Sequence, residues 1–136
     1  MRKSLVGKIA LWLVGPVFFL AGCAVGQQIG GTQKTLLHVF AYTPLEGATQ
    51  NDYENFKKAT AEMAGKIPGL KRVWIGKLRE PIPGEGDRIR TFGVAMEFDN
   101  TQALDNYAVN PVHREWEGIY ERIRVQGTTT LDILGE

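Results

Sequence analysis

Apolar positions along the chain follow two periods, alternate residues in some stretches and every third or fourth in others, and the switches between them mark the elements. Thr35 to Tyr42 (TLLHVFAY) is apolar on both alternating faces apart from His38, which predicts a strand covered on both sides. Thr49 with Asp52 three residues later has the spacing of a capping box. Tyr53, Phe56, Thr60, Met63 and Ile67 then fall on one stripe of a helix that Pro68-Gly69 ends. Arg72 to Leu78 (RVWIGKL) and Arg90 to Phe98 (RTFGVAMEF) read as strands of a hairpin, with the prolines and glycines of REPIPGEGDR forming a long loop between them. Thr101 to Ala108 predicts a short amphipathic helix broken at Asn110-Pro111. Val112, Trp116, Ile119, Tyr120 and Ile123 mark a second helix, and Val125 to Leu134, rich in Thr, Leu and Ile, a closing strand.

The order βαββαβ is that of a ferredoxin-like α+β unit, one antiparallel sheet with its helices on one face. The other face is then open. Because the first strand is apolar on both faces, a second copy of the chain is expected to cover it, and two sheets facing each other make a dimeric α/β barrel. A monomer with a mildly apolar wet face is the alternative, and it holds if Thr128 and Thr130 dominate that face.

Ahead of these elements the pattern changes. Met1 to Lys8 is a basic head and Ile9 to Ala21 is apolar apart from Gly15 and Pro16, as in a secretory signal. The run is short for a spanning helix, which needs about 20 apolar residues. It ends in Leu20-Ala21-Gly22-Cys23, which resembles the lipobox of bacterial lipoproteins, where the cysteine thiol takes the lipid. An uncleaved anchor or a coincidental apolar helix is the alternative. Cys23 is the only cysteine, and lipidation consumes a thiol that would otherwise be left free in an exported protein. Ala24 follows where an aspartate would resemble the inner-membrane retention signal of Gram-negative lipoproteins. The expected location is therefore the cell envelope, membrane-anchored through lipidated Cys23, and the outer membrane in a Gram-negative cell. Ala24 to Lys34 (AVGQQIGGTQK) reads as a flexible tether reaching about 18 Å. The chain thus divides into a signal peptide over 1–22, the lipidated cysteine and tether over 23–34, and one folded domain over 35–136.

Composition narrows the function. With 136 residues, 43% of them hydrophobic, there is material for one core and too little for two. The 16 basic and 15 acidic residues include Arg2, Lys3 and Lys8 of the leader, and without those three the net charge is −2. That excludes a general nucleic-acid binder, which needs a basic field. Two histidines, His38 and His113, are too few for an all-histidine metal site, and no metal is expected.

The candidate chemistry lies in the last third of the domain. Asparagine as N-cap and proline at the first helical position place His113 at the third position of its helix, where the macrodipole favours neutral imidazole. Tyr107 and His113 are six residues apart, about 240° round a continuous helix, whereas a kink at Asn110-Pro111 can turn both toward one pocket. His38, the one polar side chain of its strand, must find a partner when buried. Each residue also has a plain structural reading: His38 as a hydrogen-bonded core residue, His113 as a helix-start residue, Tyr107 as a packed aromatic.

LLHVFAY, KIPGLKRVWIGK, LDNYAVNPVHREW and TTLDIL together resemble the stress-responsive α/β barrel domain, often called Dabb, over about residues 34 to 134. The sharpest element is Tyr-x-x-x-Pro-x-His, present as Tyr107, Pro111 and His113, with His38 in the first strand. The resemblance implies a ferredoxin-like fold, a dimeric barrel and a small cavity between sheet and helices. One plant branch is similar to a cofactor-free polyketide cyclase in which the counterparts of His38, Tyr107 and His113 line the cavity and act in aldol chemistry. This chain has Asn110 where that cyclase has a further histidine.

Two functions follow. The first, which is favoured, is a lipid-anchored homodimer of the envelope, a stress-related or binding module whose cavity holds a small apolar or aromatic ligand, or nothing. The second is a cofactor-free enzyme moving a proton next to a carbonyl, with His113 as base, Tyr107 polarising the oxygen and His38 orienting the substrate. The haem-degrading and quinol-oxidising monooxygenases on similar barrels carry less weight, since one histidine in a strand makes a poor haem ligand, and no cofactor is expected.

Overall fold

The computed structural model describes residues 34–135. The expected signal peptide over 1–22, the expected lipidation site Cys23 and the expected tether as far as Gln33 lie outside the described residues. The elements are β1 (Leu36–Tyr42), α1 (Gln50–Lys66), β2 (Leu70–Pro83), β3 (Ile89–Phe98), α2 (Thr101–Val109), α3 (Pro111–Tyr120) and β4 (Thr129–Leu134). The strands form one sheet in the order β2-β3-β1-β4, every neighbouring pair antiparallel. This is the ferredoxin-like α+β fold expected from the order of elements.

Local chemistry sets the boundaries. The Asp52 N–H donates to Thr49 Oγ1 at 3.2 Å and the Thr49 N–H donates back to Asp52 Oδ2 at 2.9 Å, closing the capping box that starts α1. After α1 the chain turns at Gly69, whose φ of +83° suits glycine and where a Cβ would lie 2.5 Å from Ala103 Cβ. The α1–β2 connection can therefore pack directly beneath α2. The α1 stripe of Phe56, Thr60 and Met63 is buried against Phe40, Tyr42, Val94 and Met96 of the sheet. Its one polar member is satisfied: the Trp116 indole N–H donates to Thr60 Oγ1 at 2.8 Å, and the Thr60 hydroxyl donates to the Phe56 carbonyl at 2.7 Å.

Three boundaries differ from the sequence reading: the end of β2, the end of α3 and the start of the closing strand, which begins at Thr129 instead of Val125. β2 runs on to Pro83 instead of stopping at Leu78, with a register shift between Lys77 and Ile82 before pairing resumes at Ile82 with Arg90. It is an edge strand, where Pro81 and Pro83 are tolerated because an edge leaves one row of donors unused. The expected ten-residue loop shrinks to a turn closed by the Gly84 N–H on the Arg88 carbonyl at 2.8 Å. At the other end α3 stops at Tyr120, so Ile123, expected on its stripe, is buried in the following turn. Val125 to Thr128 then bridges to β4, with Gly127 at φ +95° reversing the chain ahead of the strand.

The two faces of the sheet differ sharply. Leu36, His38, Phe40 and Tyr42 of β1 face the helices, and Leu37, Val39 and Ala41 face away. Pairing with β1 puts Thr130 and Asp132 on the helix side and Leu131 and Ile133 on the open side. Trp74, Leu131 and Ile133 are about half exposed there, at 48%, 49% and 51%. The open face is thus largely apolar, with the Arg72–Glu97 ion pair among its members, and Thr128 and Thr130 are not on it.

Candidate functional site

Asn110 joins α2 to α3. Its backbone is extended, as a following proline requires. Its N–H closes α2 on the Tyr107 carbonyl at 3.0 Å, and its side-chain oxygen accepts from the Val112 N–H at 2.9 Å to open α3. Across this kink the Tyr107 and His113 rings face each other with centroids 4.0 Å apart. His38 lies with its ring 6.1 Å from Tyr107. All three line one open-mouthed cavity of about 190 Å³ between β1, the start of β4 and α3. Phe40, Trp116 and Tyr120 supply its aromatic wall.

The polar groups are prepared differently. His38 Nδ1 lies 2.7 Å from Asp132 Oδ1, a cross-strand pair made by the register of β1 and β4. Held this way, Nδ1 carries a proton toward the carboxylate, which fixes the orientation of the ring. Asp132 was not among the residues singled out from the sequence; its signal is a lone carboxylate in an otherwise Thr, Leu and Ile strand. His113 Nδ1 is buried without a hydrogen-bond partner, and Nε2 lies 4.0 Å from Glu117 Oε1. Burial pulls the His113 pKa below the usual 6.5, opposed by Glu117 and the Ala108 carbonyl and reinforced by His38. The Tyr107 phenol is pushed well above its usual range, first by burial and then by Glu117 and Tyr120, so it stays un-ionised and able to donate. The cavity thus juxtaposes a neutral imidazole, a protonated phenol and an imidazole oriented by a carboxylate. Such a set can remove a proton and stabilise the oxyanion that results.

Residues 36–130 match the Stress Responsive A/B Barrel Domain, Dabb. The chain belongs to the Dabb family. Solved structures with the same fold include a dimeric ferredoxin-like protein of unknown function from a Jannaschia species, 22% identical, with a TM-score of 0.59 over 73% of this chain and 97% of that one. The hydroxynitrile lyase of Passiflora edulis is similar at 12% identity, with a TM-score of 0.60 over 74% of this Dabb chain and 93% of the lyase. SnoaB, a cofactor-independent oxygenase from Streptomyces nogalater, is similar at 14% identity, with a TM-score of 0.52 over 75% of this chain and 91% of the oxygenase. No curated protein matches the chain. At these identities the likeness is one of fold, and the chemistry of this Dabb cavity rests on its own residues.

Proposed function

We propose that this Dabb protein is a cofactor-independent catalyst of proton transfer next to the carbonyl of a small compound, working as a homodimer held at the cell envelope. The observation that carries the reading is the convergence of His113, Tyr107 and the His38–Asp132 pair on one small cavity. In the step envisaged, the His113 imidazole takes the α-proton. The C–H electron pair becomes the C=C bond of an enolate, and the carbonyl electrons move onto oxygen, where the Tyr107 hydroxyl donates a hydrogen bond. Protonated His113 then returns the proton to carbon as the enolate collapses to the carbonyl. His38, its ring orientation set by Asp132, orients the substrate.

The similar folds of a hydroxynitrile lyase and a cofactor-independent oxygenase support chemistry of this kind on the scaffold. The test is deuterium uptake by a panel of small ketones, with cleavage of a hydroxynitrile run alongside, for the full chain and for His113→Gln. Exchange that depends on His113 is the expected result; exchange equal in both proteins overturns the proposal. The aromatic wall of Phe40, Trp116 and Tyr120 favours a second reading, a binding module for a small aromatic ligand. That reading predicts ligand-induced thermal stabilisation without turnover.

Dimerisation is supported by the exposed apolar face bearing Trp74, Leu131 and Ile133, and by the dimeric state of the Jannaschia protein. Light scattering should give a dimer that Leu131→Glu with Ile133→Glu dissociates. Anchoring through Cys23 is supported by the Leu-Ala-Gly-Cys run after a short apolar stretch. Incorporation of a fatty-acid probe that Cys23→Ser abolishes, with residues 1–22 removed, is the expected outcome.

A further inference from the structure

The far end of the cavity from His113 is built around arginine. Arg124 lines it together with Tyr120, Thr128 and Thr130. Its guanidinium carbon sits 4.6 Å over the Tyr120 ring, and its Nε is buried without a hydrogen-bond partner. The cation is thus pinned by an aromatic face instead of a carboxylate. Glu117 and Glu121 also line the cavity, yet among the described residues neither is in salt-bridge contact with Arg124, and Glu117 faces His113 instead.

A second arginine lies near the same phenol. Arg90 is 1% exposed and meets only hydroxyls among the described side chains, donating from Nη1 to Thr43 Oγ1 at 3.2 Å and from Nε to Thr129 Oγ1 at 3.5 Å. Its guanidinium passes so close to Gly84 that a Cβ there would lie 2.5 Å from Arg90 Nε. Arg90 and Arg124 both pull the Tyr120 phenol downward against the rise that burial causes, so both charges are felt at the Tyr120 hydroxyl. That hydroxyl is 3.3 Å from Thr128 Oγ1. A buried guanidinium such as that of Arg90, or a buried Nε on a half-buried side chain such as that of Arg124, is unfavourable without a carboxylate partner unless something else supplies the anion.

Resting on the reading of the cavity as a substrate site, we propose that its ligand is a small aromatic carboxylate whose headgroup is received by Arg124 beside Tyr120 and Thr128. The ring lies along Phe40 and Trp116, and the reacting carbon is presented to His113 and Tyr107. Arginine recognises carboxylate through two parallel N–H bonds, a geometry that neither lysine nor an amide reproduces. Arg124 is then the residue that selects charge, distinct from those that move the proton.

The test compares benzoate with benzamide, nearly the same shape with and without the charge, by calorimetric titration of the full chain at neutral pH. Benzoate has no α-proton, so the measurement is independent of turnover. The expected result is binding of benzoate about tenfold or more tighter than benzamide, as one charge-assisted pair provides. Arg124→Gln and Arg124→Lys should each bring the ratio to within about twofold while benzamide affinity holds. Because the readout is a ratio, a general loss of stability in one variant does not move it. Equal affinities in the wild type, no benzoate binding, or a preference that survives both substitutions overturns the proposal. Absence of deuterium exchange in the wild type, or exchange that does not depend on His113, with the benzoate preference intact would refute the catalytic reading and leave this inference standing.

Discussion

The two ends of the helix-side core treat buried polar atoms in opposite ways. Under α1, the Trp116 indole finds Thr60 and Thr60 finds the Phe56 carbonyl, so the polar atoms of this chain of contacts are used. Around the cavity, His113 Nδ1 and Arg124 Nε are buried with no partner. Both ends are lined with the same kind of aromatic side chain, and Trp116 belongs to both. The difference teaches where the fold is complete in itself and where it holds groups ready for something else, since a buried polar atom left open costs free energy that packing alone does not return.

Substitutions at the two ends should separate these roles. The largest effect is expected for His113→Gln, which removes the base while roughly keeping side-chain bulk. Deuterium exchange at the substrate carbon should fall about 10²- to 10⁴-fold, the usual contribution of a positioned base, with little change in melting temperature. A variant that loses its fold instead would place His113 with the closed end. Thr60→Val keeps shape but leaves the Trp116 N–H without an acceptor, and urea unfolding should show a loss of about 1–3 kcal/mol with exchange chemistry preserved in the folded fraction. An unchanged midpoint would mean that the indole N–H is not held by Thr60.

The smallest effect is the pH dependence of stability. The folded pKa of His113 lies below its ordinary value of 6.5, so between the two values the unfolded chain binds more protons than the native one. Stability therefore rises with pH through that window and is lost on acidification below about 6.5. The His113→Gln chain should lack this contribution and show a flatter stability profile between pH 7.5 and 5. A steeper one would reverse the sign assigned to burial at His113.

Much of the fold was legible because its signals are local. Thr49 and Asp52 announce α1, Asn110-Pro111 announces α3, and the continuous apolar run around His38 announces β1. β2 was read short because Pro81 and Pro83 look like breakers until the strand is known to lie at an edge. The end of α3 was misjudged because Ile123 keeps the helical stripe although its burial comes from a turn. Tyr107, His113 and His38 could be named from spacing and from their isolation among apolar neighbours. Asp132 and Arg124 could not, because each acquires meaning through a distant partner. Asp132 meets a strand 94 positions away, and Arg124, in a charged stretch, reads as solvated surface until Tyr120 is seen beneath it.

The double duty of Asn110 has an evolutionary consequence. One residue ends the helix bearing the phenol through its N–H and begins the helix bearing the imidazole through its side chain, so the spacing of Tyr107 and His113 depends on the torsions of that residue. Core mutations that shift α2 or α3 as a whole leave that local joint alone, whereas a change of one codon at position 110 alters it directly. A lineage can therefore retune the bite of the pair for a different substrate without touching either reacting side chain, and this joint is where divergence between Dabb proteins of different chemistry should first be sought.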